Sequence, residues 1–340
     1  MRRLFDTYLA VDWSARNTPS PAAPSRDALW VGEQCAAGLP AAKTPGETYW
    51  RTRQACITYI RTRLLHHTQH GRRVFLGFDF PYGYPAGYAA ALDLSGDASP
   101  WRRIWNTLSR LIVDHPDNSN NRFTVAAALN VQCGEPIPGP LWGCPLGTRF
   151  PTLAPTSPGY PYPVRLGLAL ERLRQVDRLE RGMQPIWKLY GNGSAGGQAL
   201  VGIPALQRLR DDPALTNISL VWPFETGFTP SPTPEQGPFI LHAEIWPGLV
   251  SGRLDPMLAI RDQAQVRAMV RWLAELDQDG KLATLFSAPT HLSSQALNEC
   301  REEEGWALGA GIPPMLYRTK KDSVDLYVKI KPQTNPHTLG

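Results

Sequence analysis

Val74-Phe75-Leu76-Gly77-Phe78-Asp79-Phe80-Pro81-Tyr82-Gly83-Tyr84-Pro85 sets an apolar run against one carboxylate and a Pro/Gly-rich turn. Apolar β-formers bounded by Pro and Gly read as a buried strand. Asp79 then stands at the carboxyl end of that strand, where open α/β sheets place their sites. Leu9-Ala10-Val11-Asp12-Trp13-Ser14-Ala15 has the same form. So does Phe239-Ile240-Leu241-His242-Ala243-Glu244-Ile245-Trp246-Pro247-Gly248. A carboxylate is costly to bury unless it is paired or bound to metal. Three of them near strand exits point to a shared cation.

The rest of the chain is read outward from that strand. Residues 6–15 form a first strand ending at Asp12, and Ala28 to Glu33 a second that makes a hairpin with it. From Thr48 the pattern turns helical, with Tyr49, Arg53, Cys56, Ile57, Ile60 and Leu64 at 3–4 residue spacing. His66, His67 and His70 close that helix and read as surface residues facing its negative end rather than as a metal cluster. Further helices are expected over 101–113, 124–130 and 164–182, and from the turn Gly191-Asn192-Gly193-Ser194-Ala195-Gly196-Gly197 to about Leu209. Strands are expected at Ser219 to Phe224 and 239–246. A helix over 260–277 carries Asp262 in its first turn, and Leu326 to Lys331 reads as an edge strand. Residues 133–163 are aromatic and rich in Gly and Pro, which suits a packed insertion over the site better than disorder.

The 340 residues are 42% hydrophobic, enough for a substantial core. One α/β domain is expected over 1–312, with an inserted helical and loop region near 131–200 and a C-terminal extension over 313–340. No apolar run approaches the ~20 residues of a membrane span, and the first residues lack the pattern of a signal peptide. The five cysteines are odd in number and have no C-x-x-C spacing. That argues against a zinc knuckle or a disulfide framework, and a reducing cytoplasm is the expected setting. The net charge of +5 favours a polyanionic partner such as nucleic acid or a nucleotide.

Val11-Asp12-Trp13-Ser14, Asp79-Phe80-Pro81 and Glu244-Ile245-Trp246-Pro247 follow one another in an order that resembles the DUF429 family. Arg174-Gln175-Val176-Asp177, Lys188 with its Gly-rich turn, and Glu303-Glu304-Gly305-Trp306 extend the resemblance over roughly residues 6–312. That family is assigned to the ribonuclease H-like fold and predicted to consist of nucleases. The resemblance implies a mixed sheet flanked by helices and an acidic cluster of Asp12, Asp79, Glu244 and Asp262. In one respect the pattern departs from better-known nucleases of that fold, whose third carboxylate comes from a late helix: Glu244 lies on a late strand.

Three functional readings follow. In the first, the carboxylates hold Mg²⁺ or Mn²⁺ and the protein hydrolyses phosphodiester bonds in nucleic acid or a nucleotide. Oxygen donors suit such hard cations. Arg122, Arg174 and Lys188 would neutralise phosphate, with Lys188 close enough to the chemistry to assist it. The bland alternative for each Asp alone is a turn cap. In the second, the Gly-rich turn at 191–197 cradles a nucleotide or another anionic cofactor without hydrolysis. It fails the P-loop pattern, because Gln198 stands where Lys is required. In the third, a catalytically inactive scaffold presents Trp101, Trp105, Trp142, Tyr160 and Tyr162 to bases, although Trp101 and Trp105 read better as core. Glu302, Glu303 and Glu304 read as a solvated acidic run, and Glu47 as a helix-start cap.

Overall fold

Three strands form an antiparallel meander before the first long helix: β1 (Thr7–Asp12), β2 (Leu29–Cys35) and β3 (Glu47–Trp50). The structure, a computed structural model, describes residues 3–39, 46–134, 138–145, 147 and 150–312. Helix α1 (Arg53–Gln69) leads to β4 (Arg73–Phe78), which lies parallel to β1. Helices α2 (Tyr88–Ala91), α3 (Pro100–Leu111) and α4 (Arg122–Cys133) follow, then a small separate hairpin of β5 (Tyr162–Pro163) and β6 (Ala169–Leu170). After α5 (Ala195–Arg210), strands β7 (Ser219–Val221) and β8 (Phe239–Glu244) complete the sheet. Its order is β3-β2-β1-β4-β8-β7, with β4, β8 and β7 mutually parallel. Helices α6 (Arg261–Gln278), α7 (Leu282–Leu285) and α8 (Ser294–Glu299) come last, and α8 runs into a π turn over Cys300–Glu304. The protein is thus α/β, a mixed six-stranded sheet flanked by helices.

Side chains alternate across a strand, and both faces of this sheet are covered. Leu9, Val11, Leu76 and Phe78 pack with Ile60, Ile104 and Leu200 of α1, α3 and α5. Tyr8, Ala10, Phe75 and Leu241 pack with Val266, Met269 and Leu273 of α6. Burial on both faces is why β1, β4 and β8 read as unbroken apolar runs. Helix α6 lies close on the sheet. A Cβ at Gly32 of β2 would stand 2.7 Å from the carbonyl oxygen of Val266.

The two ends of α6 serve different purposes. Near its C-terminus, the buried Asp277 accepts hydrogen bonds from the backbone N–H of Leu4 (2.8 Å) and Phe5 (2.9 Å) and from the Tyr8 hydroxyl (2.5 Å). From Asp277 back to Asp262 the helix covers ~22 Å at 1.5 Å per residue. From Phe5 to Asp12 an extended chain covers ~23 Å. Pinning α6 at Asp277 therefore brings Asp262 level with the end of β1.

Several expectations need correcting. Glu47–Trp50 is a strand, and α1 begins at Arg53, with the Thr52 hydroxyl accepting from Ala55 N–H. Glu47 does not cap a helix; it pairs with Arg267 of α6. Residues 164–182 are not a helix but short turns around the β5–β6 hairpin, broken at Gly167 with φ +70°. The insertion is therefore loop rather than helical, although Leu141, Tyr162, Ile186 and Trp187 join the main core. His67 is fully buried. Glu304 is buried as well, accepting from the N–H groups of Ala86 (3.1 Å) and Gln175 (2.6 Å), so it is no solvated run. Trp101 and Trp105 are core, as expected. The proposed strand at 326–331 lies outside the described residues.

Candidate active site

Parallel pairing of β1 with β4 sets Val11 opposite Phe78. The next residue on each strand is an aspartate, so Asp12 and Asp79 leave neighbouring strands at the same level and on the same side. Both are half-buried. Asp79 is oriented by the backbone N–H of Trp13, which donates to its Oδ1 at 2.7 Å. The loop after Asp12 is fixed from below by the buried Arg53. Its guanidinium donates to the carbonyls of Ser14 (3.1 Å) and Arg16 (2.7 Å), and pairs with both oxygens of Asp114.

Asp262 comes over this pair from α6. Its Oδ2 accepts from the backbone N–H of Asp27 at 2.6 Å. Asp27 itself lines the same cavity, together with Asp12, Asp79, Arg122 and Tyr190. Burial, with the carboxylates of Asp79, Asp262 and Asp27, pushes the Asp12 carboxyl well above its ordinary range. Burial pushes Asp79 up to about 7, opposed by the Trp13 N–H and reinforced by Asp262 and Glu244. Asp262 is also raised, chiefly by burial. Among the described residues, none of Asp12, Asp79 and Asp262 forms an ion pair with a cationic side chain. Such a group of carboxylates attracts a cation.

Glu244 is placed differently. It pairs with Phe78 across β4–β8, one position before the level of Asp79. Pleat alternation therefore sends it to the opposite face of the sheet. There it meets Arg174, which donates to Oε1 and Oε2 at 2.7 Å each. Arg174 is fully buried and spends its other N–H groups on Asp177 (3.1 and 2.8 Å) and the carbonyl of Glu304 (3.0 Å). Asp177 and Glu244 hold the guanidinium charged against the opposing effect of burial. All five donors are used, so Arg174 is a structural tie and has none left for phosphate. Lys188 is likewise engaged: its Nζ donates to the carbonyl of Asn192 and lies 5.8 Å from the Trp142 ring centre. It does not line the cavity of Asp12 and Asp79.

Arg122 is placed differently from Arg174 and Lys188. It lines the cavity with Asp12 and Asp79, and its Nη1 reaches only the amide oxygens of Asn17 (3.3 Å) and Asn120 (3.0 Å). Its Nε is buried without a partner. Burial, with the nearby Arg53, lowers its pKa to about 10. A buried guanidinium without a carboxylate partner is suited to binding an anion.

The Gly-rich turn does not cradle an anion through Gly196 and Gly197. Their N–H groups both donate to the carbonyl of Lys188, at 2.9 and 3.3 Å. These glycines allow close packing instead. A Cβ at Gly196 would stand 1.8 Å from the carbonyl oxygen of Ile186. Gln198, one turn into α5, donates to the Trp13 carbonyl at 2.6 Å and closes the site from that side.

No family model, curated protein or solved structure matches the chain. The chemistry of the site therefore rests on its own geometry. One competing cluster exists among the described residues: Glu33, Cys35 and His67 bring three ligand atoms within 4.8 Å. It sits at the far end of β1, where Cys35 pairs with Thr7. Arg63 already binds both Glu33 oxygens (2.8 and 2.6 Å), and Arg72 lies 3.2 Å from His67 Nδ1. Two cationic side chains thus stand where a metal ion would need to be.

Asp27 and Gln198 escaped the sequence reading. For Asp27 a signal was present. A hairpin that sets Asp12 opposite Trp30 must bring the residues just before β2 to the site.

Proposed function

We propose that the protein is a divalent-metal-dependent hydrolase of phosphodiester bonds in nucleic acid or a nucleotide. The observation that carries this reading is the in-register pair Asp12 and Asp79, raised in pKa, without a cationic partner among the described residues and faced by Asp262. Support also comes from the strand order β3-β2-β1-β4-β8, with the first three strands antiparallel and the last two parallel to β1. That order is consistent with a ribonuclease H-like fold and with the resemblance to the DUF429 family. Of the four carboxylates that the resemblance implies, Asp262 is then the late-helix member, and Glu244, bound by Arg174, is left out of the cluster.

The donor set fits a hard cation, since all three side chains offer oxygen. The fit is that of an open site. Among the described residues, only the Glu33 group brings three ligand atoms within 4.8 Å, so the aspartates stand further apart. Such spacing suits Mg²⁺ or Mn²⁺, which keep several waters. When bound, the ion would activate water and neutralise charge on the phosphate. Asp12 and Asp79 would be its holders. Asp262, tied to the Asp27 N–H, would accept a proton from the attacking water. Arg122 would hold a non-bridging phosphate oxygen, and Gln198 would keep the Trp13 loop in place.

The test is calorimetric titration of Mn²⁺ together with hydrolysis of bis(p-nitrophenyl) phosphate, on wild type and Asp79→Asn. Both the isotherm and the hydrolysis should disappear in the variant. A variant that binds and hydrolyses like wild type would remove Asp79 from the chemistry and the proposal with it.

A further inference from the structure

Asp79 borders two cavities, not one. The first, about 750 Å³, holds Asp12, Asp262, Arg122 and Tyr190. The second, about 590 Å³, lies on the Glu244 side and holds Trp246, Arg181 and Arg261. Asn192, Gly193 and Gln198 also line both, so the two meet along one seam. Each has the volume of a small-molecule site, roughly 300–1,000 Å³. A mononucleotide would fill one and leave the other to water. A phosphodiester at the seam would place a nucleoside in each.

The walls suit such an occupant. Tyr190 is 48% exposed beside the first cavity, with Phe123 edge-on to it at 6.3 Å. Trp246 is half-buried in the second, so close to Gly248 that a Cβ there would come within 2.3 Å of its ring. Tyr190 in the first cavity and Trp246 in the second each offer a ring on which a base could stack, because every base has a face to stack. Arg181 and Arg261 are exposed on the second cavity, and neither forms an ion pair among the described residues. They add positive charge to a lining that also carries Asp79, Asp177 and Glu244.

We infer that the substrate is a single-stranded nucleic acid that runs through both cavities, with its scissile phosphate at Asp79. One base stacks on Tyr190 and the next against Trp246, and the following phosphate meets Arg181 and Arg261. This rests on the hydrolase reading above and narrows it to an oligomeric substrate. A small diester spans only the seam, so the outer contacts matter to it far less.

The experiment compares wild type with Arg181→Ala/Arg261→Ala and with Trp246→Ala. A fluorescein-labelled single-stranded dodecamer, as DNA and as RNA, is titrated by polarisation in EDTA and in Ca²⁺. Hydrolysis of bis(p-nitrophenyl) phosphate is followed in Mn²⁺. Each variant should weaken dodecamer binding about ten-fold or more, and more strongly than it slows the small diester. The arginine variant should also flatten the salt dependence of binding. Dodecamer affinity equal to wild type in both variants overturns the strand path, even if the small diester is cleaved. A wild type that cleaves no diester but binds the dodecamer through these residues retires the hydrolase and keeps the strand path. DNA and RNA titrations decide which strand is preferred, and a wild type that binds neither overturns the inference.

Discussion

Replacing Arg174 by methionine would leave Asp177 and Glu244 as buried carboxylates without a counter-charge. Removing one partner of a buried pair costs about 3–5 kcal/mol. Urea unfolding of Arg174→Met should show a loss of that order, and Glu244→Gln added to it should recover part of the loss. No recovery would mean that Arg174 acts through packing alone. These roles show where the sequence was readable. Asp12 and Asp79 could be paired from strand patterns, because both end apolar runs and parallel neighbours align. Glu244 ends a run of the same form, yet its side chain leaves by the other face. One residue of register decides that, and the register of β8 depends on contacts made 166 positions away in the chain. Arg174 was read as a phosphate contact, and its burial, which makes it a structural tie instead, leaves no local pattern. Arg122 was singled out for phosphate, but nothing local signalled the burial that the fold gives it.

At the level of elements, the start of α5 is held by contact rather than by a cap. Ser194 makes no side-chain capping bond. Gly196 instead lets the first turn close on the Ile186 and Lys188 carbonyls. Gly196→Ala would force that contact apart, at a cost of about 1–3 kcal/mol. The midpoint of urea unfolding should fall accordingly, and Mn²⁺ affinity should fall with it, since Gln198 rides on the same turn. An unchanged midpoint would show that the 186–189 segment gives way freely. Helices α3, α5 and α6 were foreseen nearly to the residue: α3 shows an apolar face, whereas α5, buried almost all round from Gly196 to Leu206, was announced by the Gly-rich turn before it. β3 was absorbed into a helix because Tyr49 and Arg53 happen to have helical spacing. The stretch 164–182 was misread for the reverse reason. Its arginines imitate a polar helical face, while Gly167 at φ +70° and the β5–β6 hairpin interrupt the helix.

Over the whole molecule, the insertion and the sheet share one core, so they should unfold together. Tryptophan fluorescence and far-ultraviolet dichroism should give coincident urea transitions; separated midpoints would make the insertion an independent unit. Stability should also depend on pH in an unusual direction. Burial pushes both Asp79 and Glu304 up to about 7, above their ordinary carboxylate values near 4. A group raised in the fold binds its proton more tightly there, so its contribution is complete below the unfolded value and fades as pH rises through 7. Metal-free protein should therefore melt a few degrees higher at pH 5.5 than at pH 8, and Glu304→Gln should reduce the difference. A melting temperature that climbs with pH over this interval would contradict both assignments.

The sheet order has a consequence for synthesis. Strand β4 lies at its centre, between β1 and β8. On the ribosome β1 is made before it, but β8 follows only after more than half of the remaining chain has been translated. At about 5–20 residues per second, the β8 side of β4 stays open for roughly ten to thirty seconds. During that interval the nascent chain exposes Val74-Phe75-Leu76-Gly77-Phe78 along an unpaired edge, the kind of segment that invites aggregation. Both aspartates are already in place by then, but α6 has not yet been made. A stalled chain would thus carry the sticky centre of the sheet with its aspartate pair uncovered. Holding chaperones should engage the chain most strongly between the emergence of residue 78 and that of residue 244.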